Sequence, residues 1–340
     1  LRILNLFSMK NYLILLSMLL PFLLIGQEDA ESLLKQGVKF HDDGEFAKAI
    51  EYYEKAALLE PNNSTIDYEM ALSYAGLKDY VKAIILSDKV IAKKDKNLSQ
   101  AYLVKASAFD MLGRAVESTA ILEEAIAVTK GSPTLYYNLG VNYWKAKQIN
   151  LAEENFIKAI DLSANHTASH YMLAVLNDFK KNRVQAILSG AYFLLLEPNT
   201  KMSLDAFNII KKNLNSNNTI DVVDTDITNI VFDNDRDTTF ASAELLLDRL
   251  EATIANDTLS ELEHISFQLK SLFTLMGEQN IERKDIWTAF YIPFYFEISK
   301  TKHFETFVRY ITQKPLKESH DWFKRHEQEL IGFGDWLSKN

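Results

Sequence analysis

A packing pattern that recurs about every 34 residues is the feature that most restricts the fold of this 340-residue chain. The pattern starts at residue 30 and is met again from Ser64, Ser99, Pro133 and Thr167, in steps of 34, 35, 34 and 34 residues. Small residues at the eighth and twentieth positions of a copy allow two helices to approach closely, and aromatic residues fill the space to the next copy. A period of this length predicts stacked helix-turn-helix units, because one unit cannot bury its own apolar face.

Two copies show the pattern most clearly. Residues 30–61 read AESLLKQGVKFHDDGEFAKAIEYYEKAALLEP, with Gly37 and Tyr53 at packing positions and a closing Pro61. The fourth copy, YYNLGVNYWKAKQINLAEENFIKAI, has Gly140 and Phe156 at the same positions. These residues resemble the tetratricopeptide repeat (TPR) family. The resemblance implies an all-α fold, with about five repeats over residues 30–198 in a right-handed superhelix, and a role in binding other proteins.

The last third of the chain departs from the repeat. We expect a capping helix over residues 199–215 and a C-terminal α-helical domain over residues 216–340. Ser260 and Glu263 form a capping-box pair that predicts the start of one helix. The stretch DIWTAFYIPFYFEISK predicts a core helix kinked at Pro293. This aromatic C-terminal region resembles the tails of secreted TPR proteins of Bacteroidetes.

The N-terminal residues have the pattern of a secretory signal. Lys10 precedes an apolar run over residues 12–25, and Gly26 supplies a small residue for cleavage before Gln27. We expect residues 1–26 to be a signal peptide, with residues 1–8 not translated if Met9 is the start. The alternative is an uncleaved membrane anchor. Either one predicts an exported protein of the periplasm or cell envelope.

Composition excludes several classes of function. The net charge of -9 and the absence of a basic patch argue against a nucleic-acid partner. The chain has no Cys, which excludes disulfides and thiolate sites. His166 and His170 are four residues apart, but His166 precedes its helix and a third metal ligand is not recognisable nearby. Phosphate-binding loops and the common hydrolase motifs are also missing. We therefore expect a non-enzymatic protein without a cofactor.

The TPR resemblance also assigns a concave binding surface to the first helix of each repeat. Its fifth, sixth and ninth positions hold Leu34, Lys35 and Val38; Tyr68, Glu69 and Leu72; Leu103, Val104 and Ser107; Tyr137, Asn138 and Val141; and Tyr171, Met172 and Val175. The lining is mostly apolar and aromatic, which is typical of a surface that binds a protein or an extended peptide. From it we predict partner contacts at Tyr68, Leu72, Leu103, Tyr137, Asn138, Val141, Tyr171 and Met172. A clamp for a terminal carboxylate is not present, since Lys35 and Asn138 lie three repeats apart.

Two alternatives remain at this point. In the first, the protein is purely structural and its own C-terminal region fills the groove. In the second, an enzyme or metal-binding module occupies residues 216–340 and the repeats serve as its targeting arm. Partial support for a metal module comes from Asp233, Asp235, Asp237 and Glu244, which match positions one, three, five and twelve of a calcium loop. Thr238 replaces the Gly of that loop, and the same acidic residues suit the start of a helix. The oligomeric state stays open.

Overall fold

The computed structural model describes residues 29–215, 238–254, 258–279, 281 and 284–339. This described part of the chain is helical almost throughout and contains no β-strand, so the predicted all-α fold is confirmed. None of its helices is both long enough and apolar enough to cross a membrane. The described residues divide into two compact units, one within residues 1–129 and one within residues 130–340.

The first unit contains three helix pairs. Its helices are α1 (Ala30–Asp42), α2 (Phe46–Leu59), α3 (Ser64–Gly76), α4 (Tyr80–Lys93), α5 (Leu98–Met111) and α6 (Ala115–Thr129). Asp29 caps α1 by accepting a hydrogen bond from the Ser32 N–H at 2.7 Å. The predicted repeats one to three therefore each form one antiparallel pair.

The turn inside each repeat has one conformation throughout the chain. The fifteenth residue is left-handed in all five repeats, with φ between 59° and 78°, and the next residue's N–H donates to the carbonyl five residues before it. This is the bond that closes a helix at a left-handed residue. Glycine occupies the position only at Gly44 and Gly113; the other repeats have Lys78, Lys147 and Lys181.

Small residues at the eighth position admit a large ring from the partner helix. A Cβ atom added to Gly37 would lie 2.3 Å from Tyr53 Cε1, and one added to Gly140 would lie 2.7 Å from Phe156 Cε1. Both rings are fully buried. The close approach predicted from the sequence is thus made by the same pair of repeat positions in both units.

The second unit continues with two more repeats and then with helices outside the pattern. Its helices are α7 (Pro133–Lys145), α8 (Ile149–Leu162), α9 (Thr167–Phe179), α10 (Arg183–Leu196), α11 (Lys201–Leu214), α12 (Ala241–Ile254), α13 (Glu261–Glu278), α14 (Ile292–Ser299), α15 (Phe304–Ile311), α16 (Lys317–Phe323) and α17 (Glu327–Leu337). A short 3-10 turn, Thr238–Phe240, precedes α12, and a π-helical turn, Trp287–Tyr291, precedes α14.

Helix α10, the second helix of the fifth repeat, lies at the centre of this unit. It packs against α9, α11, α12, α15 and the π turn, and 12 of its 14 residues are buried. The Tyr295 hydroxyl, on α14, donates to the Leu188 carbonyl at 2.7 Å. The core therefore runs across the predicted boundaries at residues 198 and 215, and those boundaries remain predictions.

The fifth repeat departs from the TPR pattern at Asn177, Arg183 and Gly190, and the last two of these residues bond or pack at these junctions. Arg183 donates from Nε to the Asn213 carbonyl at 2.9 Å, and its guanidinium forms an ion pair with Asp248 at 2.5 Å. Gly190 makes room for α11, since an added Cβ would lie 3.1 Å from Ile210 Cγ1. These departures attach the later helices to the repeat.

The C-terminal region contains the predicted capping box and differs from the prediction around Pro293. The Ser260 and Glu263 capping box is present at the start of α13. In the stretch with Pro293, which has no N–H to donate, the Ile292 N–H donates to the Trp287 carbonyl five residues back, so a π turn precedes the proline. The closing segment divides into α16 and α17 around Lys324.

Candidate peptide-binding surfaces

The second unit presents one group of the predicted contact residues on α7 and α9. We call them the second-unit groove surface: Tyr137, Asn138, Val141, Tyr171, Met172 and Val175. All six are partly exposed. The Tyr137 ring lies 5.9 Å from Phe156 and 5.3 Å from His166, so its position is set by packing. The Tyr171 ring lies 5.2 Å from Phe193, so packing sets the position of both tyrosines and a partner can contact them with little loss of side-chain entropy.

The polar groups of this surface are uncharged. Burial raises the pKa of both Tyr137 and Tyr171, so each phenol stays protonated at neutral pH and can donate a hydrogen bond. Asn138 donates from Nδ2 to the Thr134 carbonyl at 2.8 Å, and this amide has a second N–H. The surface therefore offers hydrogen bonds to a peptide backbone together with apolar and aromatic contact area.

An aromatic pair beside this surface was missed at the sequence level. Trp144 meets Phe179 edge to face, with 5.4 Å between ring centroids, and Phe179 is 65% exposed. A cavity of about 430 Å³ is lined by this pair and Val175 together with the polar residues Asp178, Lys181, Lys212 and Asn213. Aromatic residues at the ends of two first helices were the available signal, but the repeat pattern treats those positions as ordinary surface.

The C-terminal helices pack elsewhere in the second unit. Their most extensive described contacts with the earlier helices of the unit are with α10 and α11, and His170 of α9 is buried against Phe290 and Tyr291. Within the described residues, no hydrogen bond or ring contact joins Tyr137 or Tyr171 to a residue after 215. The described C-terminal helices therefore contact other parts of this unit.

The first unit carries the remaining predicted contacts. Tyr68, Leu72 and Leu103 are half-buried, but Val104 is only 8% exposed because it belongs to the core with Ala71, Ala83 and Ala108. The sequence expectation that Val104 lines the groove is therefore wrong. Burial, and then the nearby Asp42, raise the pKa of Glu69.

Lys35 does not act as an isolated cation on the first unit. Its Nζ forms an ion pair with Glu31 at 2.7 Å, and both side chains are more than 70% exposed. Such an exposed pair contributes little to stability. Leu34 and Val38 beside it pack against the first unit's own core.

His170 serves packing within the second unit. Its Nε2 donates to the Ala164 carbonyl at 2.8 Å, so Nδ1 of the neutral ring accepts from the Tyr291 hydroxyl at 2.6 Å. Burial lowers the His170 pKa to about 4 and keeps the ring neutral at physiological pH. His166 is hydrogen-bonded to Ser169 at 2.9 Å.

The described residues contain no group of three or more potential metal ligands among His, Cys, Asp and Glu. Of the calcium-loop candidates, Asp233, Asp235 and Asp237 lie outside the described residues. Glu244 is buried on α12 and accepts a hydrogen bond from the Arg183 N–H at 3.2 Å. That bond gives Glu244 a role in attaching α12 to α10. The predicted signal peptide over residues 1–26 also lies outside the described part.

Comparison with known families identifies the repeat. The model named "Tetratricopeptide repeat" matches residues 30–63 and residues 133–166, the two copies with the clearest pattern. These two segments are similar to tetratricopeptide repeats, and the described part of the chain has the all-α fold that the resemblance implied.

Individual relatives are distant. The chain is 27% identical over 131 residues to anaphase-promoting complex subunit 3 of Schizosaccharomyces pombe, a match that covers 38% of this chain and 20% of that protein. MamA from Desulfovibrio magneticus RS-1 is 24% identical over 49% of this chain and 94% of its own, with a TM-score of 0.41. A TPR protein of Thermus thermophilus is 18% identical over 54% of this chain and 99% of its own, with a TM-score of 0.46.

Proposed function

We propose that this protein is a non-enzymatic scaffold that binds an extended segment of a partner protein on the second-unit groove surface. The observation that carries the proposal is the exposure of Tyr137, Asn138 and Tyr171 on α7 and α9, while the C-terminal helices pack on α10. Partly exposed aromatic and amide groups in a fixed arrangement are the features of a peptide-binding surface.

The proposed ligand is an extended peptide rich in apolar and aromatic side chains. Its backbone would bond to the Asn138 amide and the tyrosine hydroxyls. One of its aromatic side chains would enter the cavity formed by Trp144 and Phe179. The first-unit residues Tyr68, Leu72 and Leu103 form a second, smaller surface of the same chemistry.

The test is a selection of peptides from a random display library on the full chain, followed by affinity measurements on single variants. Asn138→Ala is expected to weaken the selected peptides about fivefold, the effect of one lost hydrogen bond. Tyr171→Ala is expected to weaken them at least about tenfold. Glu154→Ala, at an exposed position of α8, is the matched control and is expected to change nothing.

The outcome that contradicts the proposal is unchanged affinity in both groove variants. Tyr137→Ala is a poorer probe, because the half-buried Tyr137 ring packs on Phe156 and its loss also lowers stability. For this reason Asn138 is the main probe, and circular dichroism melting of each variant separates lost binding from lost folding.

The proposed setting is the bacterial cell envelope, and it rests on the signal pattern of residues 1–26. Export predicts that a tagged chain, expressed in a bacterial host, is recovered from the envelope fraction with Gln27 as its first residue. Mass spectrometry of the purified chain measures this directly. Recovery of a full-length chain from the cytoplasm would exclude export by a cleaved signal, and a full-length chain in the membrane fraction would indicate the anchor.

A further inference from the structure

A cavity of about 470 Å³ lies in the second unit, between α10, the π turn with α14, and α17. We call it the aromatic pocket. Its most prominent lining residues are Tyr192, Phe290, Phe294, Trp336, Glu297 and Asn165. A volume of this size falls within the range of small-molecule sites in proteins.

The rings of the aromatic pocket are arranged around Phe294. The Phe294 centroid lies 5.4 Å from Tyr192 and 6.0 Å from Trp336, and Tyr192 also meets Phe290 at 4.9 Å. Phe290, Phe294 and Trp336 are only partly buried. Aromatic surface therefore remains open to solvent in a concave site, where a ligand can reach it.

Two features of the chain build this pocket. Tyr192 occupies the twenty-sixth position of its repeat, where the other repeats have exposed charged residues, namely Lys55, Lys89, Glu124 and Lys158. On the opposite side, Phe290 belongs to the π turn, and Pro293, Phe294 and Glu297 continue the same helical face. A π turn inside a helix is frequent at functional sites.

The charge of the lining selects the class of ligand. Among the described lining residues, Glu297 is the only charged side chain. Its carboxylate is paired with Lys300 Nζ at 2.6 Å, but both side chains are about half exposed, and such a surface pair is weak and readily shared. Ring faces carry partial negative charge, so they attract a cation together with the carboxylate.

We propose that the aromatic pocket binds an alkylammonium group, such as a quaternary ammonium ion. The ring faces of Tyr192, Phe294 and Trp336 contact the methyl groups, and Glu297 supplies the countercharge at the rim. The Tyr192 hydroxyl has no hydrogen-bond partner within the described residues, which leaves it available to a polar group of the ligand. This site is separate from the groove surface and stands independently of the proposed function.

The experiment is a calorimetric titration of the full chain with choline and with 3,3-dimethylbutan-1-ol, a neutral molecule of the same shape. Choline is expected to bind about tenfold more tightly than the neutral molecule, because only the cation gains from the ring faces and the carboxylate. Equal affinities would overturn the proposal in favour of a purely apolar pocket, and so would the absence of any choline binding.

Single variants locate the binding. Glu297→Gln, at an exposed position that does not endanger folding, is expected to weaken choline several-fold and to leave the neutral molecule unchanged. Trp336→Leu is expected to weaken choline at least about tenfold. The control is Phe267→Leu, which removes a 48% exposed ring lining a different cavity. Choline affinity that is insensitive to both Glu297→Gln and Trp336→Leu would place the binding elsewhere and overturn the proposal.

A vesicle arm distinguishes a lipid headgroup from a free cation as the source of the ammonium group. Co-sedimentation with phosphatidylcholine vesicles that is reversed by free choline assigns the lipid. Choline binding without co-sedimentation assigns a free small molecule. In both cases Glu297→Gln must reduce the binding measured.

Discussion

The second and fifth repeats have the same residue at the same position in very different surroundings. Val81 and Val184 both occupy the eighteenth position, yet Val81 is 59% exposed and Val184 is fully buried. The difference extends along the whole second helix, since 3 of 14 residues are buried in α4 and 12 of 14 in α10. The repeat therefore determines how its two helices pair, and the rest of the chain determines what covers their outer side.

The C-terminal helices cover the outer side of α10, and this explains why the fifth repeat departs from the pattern of the other repeats. At the twenty-second position the other repeats have exposed residues, Glu51, Ile85, Ala120 and Glu154, whereas Leu188 is fully buried. The C-terminal helices pack on this side of α10, while Tyr171 and Val175 of α9 stay partly exposed. The covered α10 and the open groove surface belong to the same repeat.

The largest expected effect on stability comes from placing a charge at Leu188, the twenty-second position of the fifth repeat. Leu188→Asp is expected to lower the free energy of unfolding of the second unit by more than about 4 kcal/mol, since it buries an unpaired carboxylate. The matched change Ile85→Asp, at a 60% exposed side chain, is expected to cost less than about 0.5 kcal/mol. Circular dichroism during urea unfolding measures both. Similar costs would show that α10 is not covered in solution.

The buried His170 is expected to make the stability of the second unit depend on pH. Its pKa is about 4 in the folded protein, against an ordinary value of 6.5, so the unfolded chain takes up the proton first as the pH falls. The contribution of His170 to the free energy of unfolding is therefore fully present above pH 6.5. It decreases by up to roughly 3 kcal/mol as the pH falls towards 4, and then levels off.

Urea unfolding at several pH values, followed by tryptophan fluorescence, tests this linkage. All four tryptophans lie in the second unit, so the signal reports that unit alone. His170→Gln is expected to remove this part of the pH dependence. An identical pH profile in the variant would contradict a buried neutral His170.

The buried guanidinium gives the next largest effect. Arg183→Met removes the bonds to the Asn213 carbonyl and to Asp248 and is expected to cost about 2 kcal/mol. Arg114→Met, in the first unit, removes an ion pair with Glu117 in which both side chains are about half exposed, and is expected to cost less than about 0.5 kcal/mol. Thermal melting of the two variants measures the contrast. Equal melting temperatures would show that Arg183 does not attach α11 and α12.

The smallest effect concerns two buried tyrosine hydroxyls. Tyr295→Phe deletes the bond to the Leu188 carbonyl and is expected to cost about 1 kcal/mol. Tyr53→Phe is expected to cost less, because the buried Tyr53 hydroxyl has only Ser73 as a polar neighbour and that serine is bonded to His41. Urea unfolding of both variants tests this order, and a greater cost for Tyr53→Phe would reverse it.

The sequence was sufficient for the parts of the fold that depend on local spacing. The eighth-position glycines, the Ser260 capping box and the placement of Tyr137 and Tyr171 on first helices all follow from periodicity. The left-handed Lys78, Lys147 and Lys181 do not, because lysine carries no preference for that conformation and the close of the turn imposes it.

The covering of α10 depends on contacts between residues more than a hundred positions apart, such as Leu188 with Tyr295. Spacing cannot give those contacts. A signal was nevertheless available, since RVQAILSGAYFLLL is apolar on nearly every side and such a helix is normally buried. For the same reason, the aromatic pocket became visible only when Tyr192 and Trp336 were placed together.

The most direct test compares thiol labelling at the two valines on a chain that has no other cysteine. Val81→Cys and Val184→Cys make the same substitution at the same repeat position, and a thiol reagent reports access under native conditions. We predict that Val184→Cys reacts at least about a hundredfold more slowly than Val81→Cys, and that the two rates become equal in denaturant. Equal rates under native conditions would contradict the covering of α10 by the C-terminal helices.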